Sequence, residues 1–246
     1  MPNSIKPNEE NMDFIKTFLE LVHKTIPPIH KEGHPFIFIF AVVSLIAGLM
    51  VSTLGWIGAV ATLWCIYFFR DPERVTPDEE GAVISPADGL ILKIEKAAPP
   101  AELGLGDEEL TKISIFLNVF NVHVNRIPVS GEVTELNYRP GKFLSANLDK
   151  ASEENERQAV VVKTADGKQV VFVQIAGMVA RRIVCNLTEG QKVAAGERYG
   201  IIRFGSRADI YLPDGITPSV LVGQTAIGGE TILANLNGKK SGAKAK

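Results

Sequence analysis

The chain has 246 residues, room for one medium domain with an appendage or for two small domains. Hydrophobic residues make up 46% and charged residues 22%, enough apolar content for a packed core and too much for global disorder. A formal net charge of -2 excludes a strongly basic protein that holds nucleic acid by counterion release.

Residues 1–11 are polar. Phe14, Ile15, Phe18, Leu19 and Val22 then recur at helical spacing, with Lys16, Glu20 and Lys24 between them. This predicts a short amphipathic helix, ended by Pro27 and Pro28, that either packs on the protein or lies on a bilayer surface. From Phe36 to Phe69 there is no Asp, Glu, Lys, Arg or His. One membrane span needs ~20 apolar residues. This run has about 34 and is interrupted near Ser52, Thr53, Gly55 and Gly58. It predicts two apolar helices joined by a tight turn; one tilted span plus an interfacial helix is the alternative. A soluble protein would have to bury the same hairpin. The run is too long and starts too late for a secretory signal. Lys24 and Lys31 precede it and Arg70 and Arg74 follow it, so both ends are expected on the cytoplasmic face of the inner membrane. The expected organisation is an N-terminal segment 1–34, an anchor 35–70 and a domain 71–246 that begins in the Pro-rich exit Asp71-Pro72-Glu73-Arg74.

From Ala82 onward the pattern is one of strands and turns. Val83-Ile84 and Leu90 to Ile94 flank Ser85-Pro86-Ala87-Asp88-Gly89. Ile113 to Val119 is an apolar run. Val160 to Lys163 and Val170 to Ile175 flank Asp166-Gly167, a hairpin signal. Tyr199 to Phe204 and Ile210 to Leu212 follow. Residues 145–158 are the best candidate for a helix or ordered loop. Without long helices alternating with strands, the fold class is mainly β, α+β: a compact barrel-like or sandwich domain with few helices, behind an apolar helical hairpin.

Three segments have residues suited to chemistry. Gly205-Ser206, between two apolar stretches, reads first as a turn or bulge. Yet Gly205 leaves its carbonyl open to approach and tolerates strained dihedrals, so the Ser206 hydroxyl is placed to attack it if a base and oxyanion donors are present. Asp88 sits on a turn, where a carboxylate either shapes the turn or orients a histidine. His123 is the sole histidine of the C-terminal part and is crowded by Asn118, Asn121, Asn125 and Arg126. This arrangement suits a polar pocket as well as a structural histidine. Leu148-Asp149-Lys150-Ala151 is similar to a lipoyl-lysine turn, but the following Ser152 to Arg157 does not read as a strand. Cys65 and Cys185 form no CxxC pair and no Cys/His cluster, so no metal site is expected.

In this order, Ser85 to Gly89, Phe116 to Pro128, Pro140-Gly141, Asn155-Glu156-Arg157, Gly177, Gly196 to Leu212 and Gly229-Glu230 resemble the phosphatidylserine decarboxylases, most closely their short bacterial form. The resemblance runs from about residue 68 to 235. It implies a proenzyme that cuts itself at Gly205-Ser206 into a β chain, 1–205, and an α chain, 206–246, and converts Ser206 into a covalent pyruvoyl cofactor. That ketone would form a Schiff base with the serine amine of a membrane phospholipid, which loses carbon dioxide to give phosphatidylethanolamine. The resemblance assigns Asp88 to orienting the base and His123 to the decarboxylation step. Many members carry a second histidine where this chain has Arg126, so His123 is expected to serve both steps. Arg126 and Asn118 are candidates for binding the lipid head group. A non-enzymatic, membrane-tethered lipoyl- or biotinyl-like domain, and a decarboxylase of an ether-lipid analogue, are the rival readings.

Overall fold

The computed structural model describes residues 27–141, 154–177, 182–203 and 205–238. The helix expected over 14–22 and the Asp149-Lys150-Ala151 segment lie outside these residues, as does most of 145–158. The chain divides into two units. One runs to Ile66 and takes in Arg70–Glu73; the other holds Tyr67–Phe69 and everything from Arg74 onward.

The first unit is the expected helical hairpin. Helices α1 (His34–Met50) and α2 (Ser52–Phe68) are separated by Val51 alone, whose extended backbone breaks the helical path. Small residues let the two helices meet. A Cβ on Gly55 would stand 2.7 Å from Gly48 Cα, and Ser44 Oγ lies 3.2 Å from Thr62 Oγ1. Gly55 and Gly58, two of the interruptions in the run, therefore lie where the helices touch. Lys31–Met50 is long and apolar enough to cross a membrane by length and composition. Its flanks and those of α2 expose large apolar side chains, among them Leu49, Met50 and Trp56.

The second unit is built from strands. The chain forms β1 (Ala82–Ile84), β2 (Gly89–Ala97), β3 (Leu110–Leu117), β4 (Val124–Arg126), β5 (Gly131–Arg139), β6 (Arg157–Lys163) and β7 (Gln169–Ala176). It continues with β8 (Ile183–Cys185), β9 (Lys192–Val193), β10 (Arg198–Ile202), β11 (Ser206–Leu212), β12 (Thr225–Ala226) and β13 (Ile232–Asn235). Eight of these form an antiparallel sheet, β12-β2-β3-β11-β7-β6-β5-β9, curled into a half-barrel. A three-stranded sheet, β4-β10-β8, and the pair β1-β13 complete the unit. The mainly β expectation holds, with an N-terminal apolar hairpin.

Alternation along the central strands sorts side chains to two faces. Ile113, Ile115, Ala208, Ile210, Val170 and Phe172 point into the main core. Val171, Val173, Ile175 and Tyr211 point to the other face and form a second cluster. The Asp166-Gly167 turn joins β6 to β7, with Lys163 opposite Gln169. Arg157 and Gln158 open β6 rather than belonging to a helix. Strand β5 had no apolar signature because Val133 is its only fully buried residue. Strand β3 stops at Leu117, two residues before the end of its apolar run. There Asn118 Oδ1 accepts from Phe120 N and Asn121 Oδ1 accepts from Asn118 N, both at 2.9 Å, closing a turn.

Candidate active site

Strand β11 lies in the middle of the large sheet, and Ser206 is its first residue. Ser206 stands opposite Leu117 of β3 and Ala176 of β7. Its side chain is completely buried, and Oγ has no hydrogen-bond partner among the described residues. Gly205, immediately before it, has φ +69°, a left-handed backbone that favours glycine. Residues 203–205 carry the chain from the three-stranded sheet into the eight-stranded one. The Gly205-Ser206 peptide therefore sits where a left-handed glycine meets a central strand.

His123 precedes β4 and is fully buried. Its Nδ1 lies 3.0 Å from the Asn121 carbonyl oxygen. A carbonyl only accepts, so Nδ1 carries the hydrogen and Nε2 is the basic nitrogen of the neutral ring. The Phe68 ring covers the imidazole at a centroid distance of 4.2 Å and a tilt of 33°. Ile202 N donates to His123 O at 3.4 Å. From Ile202 to Ser206 the chain advances four residues, at most about 14 Å when extended.

Asp88 ends the turn before β2. The pairing of Leu90 with Phe116 and of Ser206 with Leu117 puts Gly89 and Ser206 on either side of the β3 terminus. Two strand spacings separate them, about 10 Å. The Asp88 carboxylate accepts from Arg74 Nη2 at 2.7 Å and from Gly228 N at 2.8 Å. Arg126 is also buried: Nη1 donates to Gly196 O at 2.8 Å, and its backbone N donates to Pro86 O at 2.9 Å. Asn118 is exposed and closes the β3 turn with its side-chain oxygen. Ser206, Asp88 and the turn after β3 thus share one end of the large sheet, with the 203–205 link leading back to His123.

Residues not proposed for the site from the sequence complete the surroundings. Arg74 holds Asp88, and Phe68 covers His123. Asn155 Nδ2 donates at 2.7 Å to the carbonyl of Ala176, the residue opposite Ser206. Behind the strand, Arg207 Nε and Nη2 donate to Asp209 at 2.6 and 2.9 Å, and Nη2 also donates to Ser114 Oγ at 2.8 Å. Both charged side chains are buried. Burial, with the Asp209 carboxylate adding to it, pushes the nearby Tyr211 phenol well above its ordinary pKa. Burial likewise raises the Cys185 thiol, as suits an unreactive core cysteine. Among the described residues, no group of three or more His, Cys, Asp or Glu side chains is arranged to hold a metal.

A buried, unpartnered serine directly after a left-handed glycine defines a class of sites fit for attack on a backbone carbonyl. Comparison with known proteins narrows the class. The family model described as phosphatidylserine decarboxylase matches residues 61–234. A phosphatidylserine decarboxylase proenzyme of Cereibacter sphaeroides is 54% identical over 228 residues, covering 92% of this chain and 98% of the relative. Proteins of the same name from Ruegeria pomeroyi and Rickettsia africae are 57% and 60% identical, over 86% and 87% of this chain and 96% and 92% of their own. The chain belongs to the phosphatidylserine decarboxylase family, and so to the carboxy-lyases. Membership sets aside the non-enzymatic carrier-domain alternative.

Proposed function

We propose that this chain is a membrane-anchored proenzyme that cuts itself between Gly205 and Ser206, turns Ser206 into a pyruvoyl group and decarboxylates phosphatidylserine to phosphatidylethanolamine. The observation that supports this best is the buried, unpartnered Ser206 Oγ directly after a left-handed glycine. A structural serine in a core normally hydrogen-bonds to something.

In the proposed cleavage, Ser206 Oγ loses its proton to His123 Nε2 and attacks the Gly205 carbonyl carbon. The amide C–N bond breaks, leaving an ester between Gly205 and the 206 side chain and a free amine at 206. Loss of the α-hydrogen of residue 206 expels the Gly205 carboxylate. Water then replaces the nitrogen at 206, ammonia leaves, and a ketone remains. Gly205 leaves its carbonyl open from the side-chain direction, and the Phe68 ring shields the imidazole from water. Asp88 and Arg126 supply opposite charges at the same end of the fold, suited to keeping the base oriented and to pairing with a lipid phosphate or carboxylate. Asn118 would meet the head group only from the exposed turn.

The site fits the pyruvoyl group, because it is made in place from a buried side chain. Once formed, that group supplies the electron sink for loss of carbon dioxide. Cleavage leaves the fold intact on this reading. The α chain, 206–246, contributes β11, β12 and β13, which pair with β3 and β7, with β2 and with β1 of the β chain. The hairpin of α1 and α2 anchors the enzyme to the cytoplasmic face of the inner membrane, where its substrate resides.

The test is a denaturing gel of purified wild type beside Ser206→Ala. Two chains are expected for the wild type and one for the variant. Cutting of Ser206→Ala at the same bond would overturn the assignment.

A further inference from the structure

Two carboxamides are buried beside Ser206 with much of their hydrogen-bonding capacity unused. Gln174 of β7 donates from Nε2 to Asn125 Oδ1 of β4 at 2.8 Å, and neither residue is exposed at all. Asn125 Nδ2 and Gln174 Oε1 have no partner among the described residues. Turning both amides over leaves Asn125 Oδ1 and Gln174 Nε2 open instead, so one donor and one acceptor face the interior in either setting. A buried donor or acceptor left unpaired is costly, and proteins carry few of them.

Their place in the fold says what they are for. Ser206 pairs with Ala176, and Ala208 pairs with Gln174. Gln174 therefore projects from the same face of the sheet as Ser206, at the diagonal position on the neighbouring strand. Diagonal neighbours are ~7–8 Å apart, a gap that a long side chain bridges. The other inward residues of β7 around it, Val170 and Phe172, are apolar, so core packing alone does not call for a glutamine. Space for the pair is kept by Gly200, opposite Asn125: a Cβ there would come within 3.1 Å of Gln174 Nε2 and 2.1 Å of Val184 O. Ser206 Oγ, itself buried and unpartnered, is the nearby group in need of a partner.

We infer that Gln174, its amide fixed by Asn125, is a positioning residue for the side chain at 206. With both amides in the turned-over setting, Gln174 Nε2 donates to Ser206 Oγ, which fixes the direction of Oγ and leaves its one hydrogen for His123 Nε2. A carboxamide does this without bringing a second charge into the core. The inference rests on Ser206 being the nucleophile of self-cleavage.

The test separates positioning from packing. An Asn125→Leu/Gln174→Leu double variant removes both polar partners together, which is close to neutral for stability if the pair only joins the two sheets. Cleavage is followed as the α chain appears during cell-free synthesis, and thermal stability is measured in a Ser206→Ala background. The expected result is unchanged or higher thermal stability with self-cleavage slowed at least tenfold. Wild-type cleavage in the folded double variant would overturn the inference. Should that variant not fold, Gln174→Met and Gln174→Glu decide the matter. Both keep the chain length and remove the donor, so both are expected to slow cleavage at least tenfold, and a wild-type rate in either would overturn the inference. Cutting of Ser206→Ala would instead remove the nucleophile on which the inference stands.

Discussion

Arg74 Nη2 donates to Asp88 Oδ2 at 2.7 Å, and the two side chains are only 14% and 16% exposed. Fourteen residues apart, they tie the segment entering the strand unit to the turn before β2. Asp88 also accepts from Gly228, so this carboxylate joins three separate stretches of chain at the end of the sheet where Ser206 lies. Arg74→Met removes a charged donor and is expected to cost about 1.5–3 kcal/mol, read as a lower midpoint in urea. Asp88→Asn keeps an acceptor for Gly228 and loses the charge. It is expected to slow self-cleavage more than Arg74→Met does. Wild-type cleavage in Asp88→Asn would confine Asp88 to a structural role.

His123 is proposed as the base for self-cleavage and as a participant in decarboxylation. A positioned general base contributes about 10²–10⁴-fold. His123→Ala is expected to accumulate uncut precursor, with cleavage slowed by at least about a hundredfold on that scale. Time-resolved gels measure it. If the variant is cut normally but fails to decarboxylate, the base for cleavage is another group and His123 acts in the second step alone.

The buried pair behind Ser206 makes a prediction about stability. Asp209→Ala leaves the Arg207 guanidinium, 1% exposed, without its carboxylate. Breaking a buried pair from one side costs about 3–5 kcal/mol. An Arg207→Met/Asp209→Leu double variant is expected to recover most of that loss, because no buried charge remains. Denaturant unfolding of both in a Ser206→Ala background checks this without interference from cleavage.

Acid stability should depend on Glu102. Burial pushes its carboxyl pKa up, but the Arg157 hydrogen bonds and charge outweigh this and hold it below the usual value. A lowered folded pKa contributes stability that is fully present above the unfolded pKa, roughly 4.3. It is lost as pH falls through the folded value. Glu102→Gln is therefore expected to flatten the decline in unfolding free energy below about pH 4–5 and to be less stable than wild type at pH 7. An unchanged acid slope would contradict the assignment.

Much of this was legible in the sequence because it depends on local pattern. The helical hairpin followed from the absence of charge between Phe36 and Phe69, and its turn from the polar and glycine interruptions. The β6-β7 hairpin followed from Asp166-Gly167. Gly205-Ser206 by itself reads as a turn, and it was the family resemblance that pointed to it as the bond to be cut. What was hidden depends on register and on contacts distant in sequence. Phe68 and Phe69 read as part of the apolar run, yet they belong to the strand unit, since membrane and core select the same side chains. Gln174 looked like one polar residue in an apolar strand, and only pairing β11 with β7 places it beside Ser206. Arg74 read as a flanking charge, and nothing in its neighbours points to Asp88.

The most direct measurement of the central claim is the intact mass of the purified, active protein after denaturation. The account predicts a large chain ending at Gly205 and a small chain, 206–246, whose first residue carries a ketone in place of its amine and resists Edman degradation. Borohydride reduction in the presence of phosphatidylserine should attach the lipid to that small chain alone. A single uncut chain that decarboxylates phosphatidylserine, or a small chain beginning with an unmodified Ser206, would contradict it.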